Sequence, residues 1–417
     1  MRQGIGCALC EAVPGSLGEI RRYLEPWRFV CHTIVPADAG TRLPADILLV
    51  DLVTGPTADM AAVVVSHRNA GGLTLALCPA DEPRILSLAA SWGSDDILTA
   101  PVDPIELVRR LQSLSNLDHL LRERRRRTDL FACYRDGAEP AAPGIDLAPP
   151  RATVVLLGRP GPEQVQVVAA LAGARVTYLH DAVGLSGFLR GGPLDLLVVT
   201  EPALLADAQA AIAAADGEAP VVVAAHAGPP WALELPQQVD LLSLPAAMPV
   251  MRCRLEVALR IAGLRRWLRD PPLAGSGPML VDALTGLYNH AAFLDYLRVA
   301  GEERAVIGLE HDRLEWINRQ SGYAAGNRVL ATLGRSLRRH IRAQDFAAHL
   351  GGGRFAVAVA ATDRAKLDRL RDRLQATVAE DRPWQILAAA EPMPVRGAPP
   401  QRLARLFSEL RRLRPAA

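Results

Sequence analysis

Short apolar runs alternate with stretches of helical period along the first two thirds of the chain. Residues 5–10 (IGCALC), 28–34 (RFVCHTI), 46–52 (DILLVDL), 73–78 (LTLALC) and 95–100 (DDILTA) read as five strands. Their hydrophobic residues are nearly continuous rather than alternating, the pattern of strands covered on both faces of a parallel sheet. Residues 15–27 and 57–70 between them are helix-like, and residues 104–127 close the set with a longer helical pattern. Five such strands with intervening helices in roughly 120 residues predict a flavodoxin-like, doubly wound α/β domain. The pattern then repeats. Strands are expected at 153–158, 175–180, 194–200, 220–226 and 240–244, with helices between them and a last helix over 250–270. Stretches rich in proline, glycine and alanine at 128–150 and 270–281 read as linkers. The expected division is a first domain over residues 1–127, a second over 151–269 and a third over 282–417.

The third segment has a different rhythm. A strand at 305–312 leads into one long helical pattern over 313–341, and strands at 347–350 and 355–360 flank a glycine-rich turn. Glycines at such a turn supply the positive φ angles that a tight hairpin requires.

Composition narrows the chemistry. A chain of 417 residues, half of them hydrophobic, has room for several domains that each bury a core. Its net charge of +2 gives no basic surface of the kind nucleic acid requires, so no nucleic-acid partner is expected. The cations are almost all arginine, and Lys366 is the single lysine, which removes any mechanism needing a lysine elsewhere. Cys7 and Cys10 are spaced as CxxC, but residues three apart on a strand face opposite ways, and no second Cys or His pair lies near them. They read as structural thiols in a reducing compartment, and the nine histidines show no ligand spacing, so no metal is expected. The basic run Arg122–Arg127 is expected as a solvated helix end. Without a leader or an uninterrupted apolar run of about 18 residues, the expectation is a cytoplasmic protein with no membrane insertion.

From Asp282 the sequence resembles the GGDEF family of diguanylate cyclases, on DALTGLYNHAAF (Asp282–Phe293) and the turn Gly351-Gly352-Gly353-Arg354-Phe355. The resemblance implies a ferredoxin-like nucleotide-cyclase palm. The two upstream domains resemble receiver domains, and the order receiver–receiver–GGDEF implies a response regulator of two-component signal transduction. In the first receiver-like domain the family's phosphoacceptor falls on Asp51, a candidate at the carboxyl end of a strand. Its expected partners are thin: Glu11 beside Cys10 is what remains of the acidic cluster, Cys78 stands at the Ser/Thr position, and Ala100 at the lysine position before Pro101. The second domain has Thr200 at the acceptor position, Arg159 near the acidic cluster and Leu244 at the lysine position. It is expected to act as an adaptor or dimerisation module, not as a phosphoacceptor.

A cyclase of this family binds Mg²⁺ through carboxylates and holds the GTP phosphates with a lysine. The resemblance puts Glu310 at a metal-ligand position, but Leu314 and Glu315 replace the family's Phe and Lys, and an anion there repels a triphosphate. Asn318 matches a guanine-contacting Asn, Tyr323 and Asn327 replace a His and an Asp, and Gly353 and Arg354 replace the acidic pair of the turn. No catalytic residue set and no cofactor are therefore expected. What is complete is Arg342-x-x-Asp345 ahead of the turn, which matches the family's inhibitory site for cyclic di-GMP, with Arg373 at the position of a second arginine. A guanidinium can pair with phosphate or the guanine Hoogsteen edge, and a carboxylate can accept from guanine N–H groups. Arg-x-x-Asp also occurs at Arg126–Asp129 and Arg369–Asp372, so placement before the turn is what distinguishes this copy. The expected function is a cyclic di-GMP-binding effector or adaptor, a homodimer without cyclase activity. By resemblance, it would link second-messenger level to protein partners in cell-cycle proteolysis at a cell pole. A weakly active cyclase and a ligand-free scaffold are the alternatives.

Overall fold

Each apolar run expected as a strand in the two upstream domains is one. The computed structural model describes residues 5–11, 13, 15–27, 29–34, 45–134, 152–171, 173–215, 218–226, 235–236, 239–271, 277–360, 364–380, 386–391 and 395–413. They fall into two compact units, Met1–Leu121 with Gly144–Arg265 and Arg122–Pro143 with Arg266–Ala417. The expected linker GAEPAAPGIDLAPP and residues 272–276 of the one at 270–281 lie outside the described residues.

In the first unit, β1 (Ile5–Cys10), β2 (Phe29–Ile34), β3 (Ile47–Asp51), β4 (Leu73–Pro79) and β5 (Asp96–Ala100) form a parallel sheet in the order β2-β1-β3-β4-β5. The helices between them are α1 (Gly18–Leu24), α2 (Ala58–Asn69) and α3 (Pro83–Ser91), and α4 (Pro104–Ala132) follows. A second sheet repeats the topology with β6 (Thr153–Leu157), β7 (Arg175–Leu179), β8 (Leu196–Val199), β9 (Val221–His226) and β10 (Val239–Leu244). Its helices are α5 (Pro162–Ala170), α6 (Ala182–Gly191), α7 (Leu205–Ala214) and α8 (Met248–Arg269). Both sheets have the flavodoxin-like order, which opens a crevice at the carboxyl ends of the strands.

The two receiver-like halves share buried contacts. Val250 and Cys253 of α8 enter the apolar cluster that Ala8, Leu48, Val50 and Met60 build around the first sheet. Buried charges on each half pair with charges on the other. Arg110 on α4 reaches Asp240 of β10 at 2.8 Å, and Arg254 on α8 reaches Asp96 of β5 at 3.7 Å. Arg254 also pairs with Glu106, and Arg109 donates to the carbonyls of Leu235, Pro236 and Val239. Burial pushes the Asp96 carboxyl up against the pull of Arg254 and Arg110. Ions this deep are tolerated only because each has a partner, and removing one partner strands the other.

The second unit carries an antiparallel sheet, β12-β13-β11-β14, built from β11 (Arg304–His311), β12 (Phe346–Gly351), β13 (Arg354–Ala360) and β14 (Ile386–Ala390). Around it lie α9 (His290–Ala300), α10 (Leu314–Ser321), α11 (Tyr323–His340), α12 (Arg364–Glu380) and α13 (Pro399–Arg412). A Cβ at Gly308 in β11 would lie 3.0 Å from Leu406, so glycine there lets α13 lie close on the sheet. Three expectations change. The single helix over 313–341 is two, because Gly322 turns the chain at φ +77° and ends α10. Strand β14 was not anticipated. Helix α4 continues past residue 127 into the expected linker, burying Leu130 and Phe131 beside Phe293, Tyr296 and Phe346. The Arg122–Arg127 run is accordingly not a solvated end: Glu123 and Arg127 are 0 % and 2 % exposed.

Candidate functional site

The chain leaves α11 and enters β12 through the Arg-x-x-Asp motif, which folds as a turn closed from both sides. The Arg342 carbonyl accepts from the Asp345 N–H, and Asp345 Oδ2 accepts from the Arg342 N–H, each at 3.0 Å. The Asp345 carboxyl is therefore buried while the Arg342 side chain stays exposed. Burial pushes the Asp345 pKa up to about 6, against the Arg342 N–H and the charges of Arg304 and Arg342 that favour its ionised form. Arg342 and Asp345 line a cavity of about 320 Å³ together with Arg127, Arg269, Asp270, Tyr288 and Arg338, over an apolar floor including Leu287 and Ile341. Four arginines against two aspartates give this lining an excess of positive charge. Arg338 pairs with Asp270 and donates to the Arg269 carbonyl at 3.1 Å. Arg373 is exposed on α12 and does not line this cavity.

Arg127 of α4 holds the turn in place. Its Nη2 donates to the carbonyls of Ala343 (3.1 Å) and Asp345 (2.9 Å), its Nη1 to that of Leu268 (2.5 Å), and its Nε to Glu123 (2.8 Å). Glu123 also accepts from Arg304 Nη2 at 2.5 Å and from the Tyr296 hydroxyl at 2.9 Å. Beneath this network Phe346 is stacked between Tyr288 and Tyr296, with 4.0 Å between ring centroids on either side. The sequence reading missed Glu123 and Arg127. A signal existed: Leu120, Glu123, Arg127 and Leu130 follow one helical stripe, so two charges occupy positions of an otherwise apolar face.

The glycine turn is a second locus. Gly351 and Gly352 adopt φ +96° and +59° at the β12–β13 hairpin, as the glycine pattern predicts. Arg354 lies opposite Glu310 in the β11–β13 register, with its Nε 3.1 Å from Glu310 Oε1 and its guanidinium 5.5 Å over the Phe407 ring. Glu310 itself is buried. A Cβ at Gly353 would come within 3.0 Å of the His311 carbonyl, so a side chain is crowded there. Glu315 points to solvent and pairs with Arg319, while Tyr323 is exposed at the start of α11. The Asp282–Phe293 signature does structural work: Asp282 accepts from the N–H and hydroxyl of Thr285, and Asn289 caps α9 by accepting from the Ala292 N–H.

Asp51 ends β3 as expected, with its oxygens already engaged. Oδ2 accepts from Ser16 (2.5 Å) and Thr54 (3.1 Å), and Oδ1 from the Val53 N–H (2.9 Å). Glu11 is spent on the N–H groups of Gly15 and Leu17. Cys78 is buried, and burial pushes its thiol up to about 12.

Residues 279–389 match the family model for the diguanylate cyclase GGDEF domain. This segment is a GGDEF domain. Over a longer span the chain is similar to the response regulator PleD of Caulobacter vibrioides, 26% identical over 301 residues, covering 68% of this chain and 65% of PleD. It is 37% identical over 109 residues to the diguanylate cyclase DgcP of Pseudomonas aeruginosa, covering 24% of this chain and 16% of DgcP. The chain thus spans less than two thirds of the length of these curated relatives. Among solved structures, the GGDEF domain of DgcB from Caulobacter crescentus in complex with c-di-GMP is 20% identical with a TM-score of 0.29, covering 32% of this chain and 86% of that one. No helix among the described residues is long and apolar enough to cross a membrane.

Proposed function

We propose that this protein binds cyclic di-GMP through its GGDEF domain without making it, and that the receiver-like pair conveys the bound state to protein partners. The observation that carries this reading is the turn at Arg342–Asp345, which sets an exposed guanidinium and a buried carboxylate on one arginine-walled cavity. A guanidinium there suits a phosphodiester or the guanine Hoogsteen edge, and the carboxylate suits guanine N–H donors.

The glycine turn supports the second half of the reading. A Mg²⁺ ion requires a cluster of oxygen ligands. Glu310 offers one carboxylate, Arg354 sits against it, and a side chain at Gly353 is crowded by the His311 carbonyl. The residues present do not fit the metal, and Glu315 brings negative charge where a triphosphate would need a cation. The domain order resembles PopA, a non-cyclase relative of PleD, which favours a role in recruiting partners for regulated proteolysis.

Equilibrium dialysis of labelled cyclic di-GMP against wild type, Arg342→Ala and Asp345→Asn tests the binding half. Retention by wild type and its loss in both variants is expected. Incubation with GTP and Mg²⁺ tests the other half, and accumulation of cyclic di-GMP would overturn it.

A further inference from the structure

We infer that Cys7 and Cys31 are a redox-active thiol pair that closes to a disulfide under hydrogen peroxide, a modification site on the first receiver-like domain. The two residues are direct partners in the parallel β1–β2 register. Neighbouring strands lie about 4.8 Å apart, inside the roughly 4.4–6.8 Å Cα separation that a disulfide spans. Residues paired in register on adjacent strands project to the same face of the sheet, so the two side chains are neighbours.

The surroundings give the two sulfurs different roles. β2 is the edge strand, and Cys31 is half-buried on it while Cys7 is fully buried on β1. The neighbouring Cys7 thiol, helped by the Arg21 guanidinium, draws the Cys31 thiol below its ordinary range against burial and Glu25. The neighbouring Cys31, then burial, pushes the Cys7 thiol up. A reachable, thiolate-prone cysteine beside a second thiol is the arrangement of a peroxide-sensitive site with its resolving partner. Cys10, Cys78 and Cys253 are buried, and burial pushes their thiols up, so they compete poorly.

The chemistry balances with one peroxide. The Cys31 thiolate attacks a peroxide oxygen, the O–O bond breaks, and the departing hydroxide takes up a proton as water. The Cys7 sulfur then attacks the sulfenic sulfur of Cys31, the S–O bond breaks, and hydroxide leaves with the Cys7 proton as a second water. Two thiols are oxidised and one peroxide is reduced. The bond pins the edge strand to β1 and brackets the segment that carries Glu11 and Ser16 to the Asp51 end of the sheet.

Full-length protein exposed to hydrogen peroxide, then denatured and analysed by thiol titration, intact mass and peptide mapping, tests this. The expected result is a fall from six free thiols to four, a mass lower by two hydrogens, and one peptide joining Cys7 to Cys31 that dithiothreitol releases. Cys7→Ala should instead leave a sulfenic acid on Cys31 that dimedone traps. Cys31→Ser, at a half-buried edge position, should abolish the disulfide even if Cys7→Ala disturbs the sheet. Six surviving thiols, a disulfide between other cysteines, or a dimedone adduct on wild-type Cys31 with Cys7 still free would each overturn the inference.

Discussion

Binding of cyclic di-GMP beside Asp345 should depend on pH. The folded-state pKa of Asp345, about 6, lies above the ordinary carboxylate range, so the folded chain holds a proton that the unfolded chain releases. The associated stability is fully present below about pH 4 and is lost as pH rises through about 6. Ligand affinity should run the other way, because a carboxylate accepts from guanine and a carboxylic acid accepts poorly. Cyclic di-GMP should bind wild type about tenfold more weakly at pH 5 than at pH 7.5, and an affinity unchanged across that range in a titration would contradict this. At the other locus, the double substitution Gly353→Glu with Arg354→Glu should not restore turnover of GTP, since Glu315 still stands where a cation is needed; product formation in a coupled assay would contradict this. The placement of Arg342, Asp345, Gly353 and Arg354 about one turn was legible in the sequence, because they sit in register with its glycines. The burial of Asp345 was not, because it depends on how the turn closes on itself.

At the scale of the element, α4 matters most. Glu123 accepts from Arg127, Arg304 and Tyr296 in a buried setting, so Glu123→Ala leaves two buried cations without this partner. A loss of roughly 3–5 kcal/mol is expected from such a break, measured by denaturant unfolding of the full chain. Arg127→Ala should loosen the Ala343–Asp345 carbonyls and weaken the ligand while leaving Arg342 itself untouched. Strands were easy to read because parallel-sheet strands are continuous apolar runs. Helix ends were harder: a basic run looks solvated until its stripe is laid beside Leu120 and Leu130, and Gly322 looks like one weak helix residue until its positive φ breaks the helix. Strand β14, ILAAA, is rich in alanine and carries little strand signal of its own.

For the whole molecule, the division into two units differs from three domains in a way that calorimetry can read. The receiver-like halves share Val250 and Cys253 in one core and exchange Arg110 and Arg254 with Asp240 and Asp96. They should unfold together, giving two transitions, and Asp240→Ala should lower the first unit's transition alone. Three separate transitions would contradict it. The sequence pattern located each sheet but not this sharing, because charges on helices following equivalent strands reveal their partners only once two copies are placed together.

The central claim is that this GGDEF domain reads cyclic di-GMP and does not produce it. Isothermal titration of the wild-type chain with cyclic di-GMP at neutral pH, beside Arg342→Ala, tests it most directly. Saturable binding by wild type that Arg342→Ala loses is the predicted result; no binding by wild type, or equal binding by both, would contradict it.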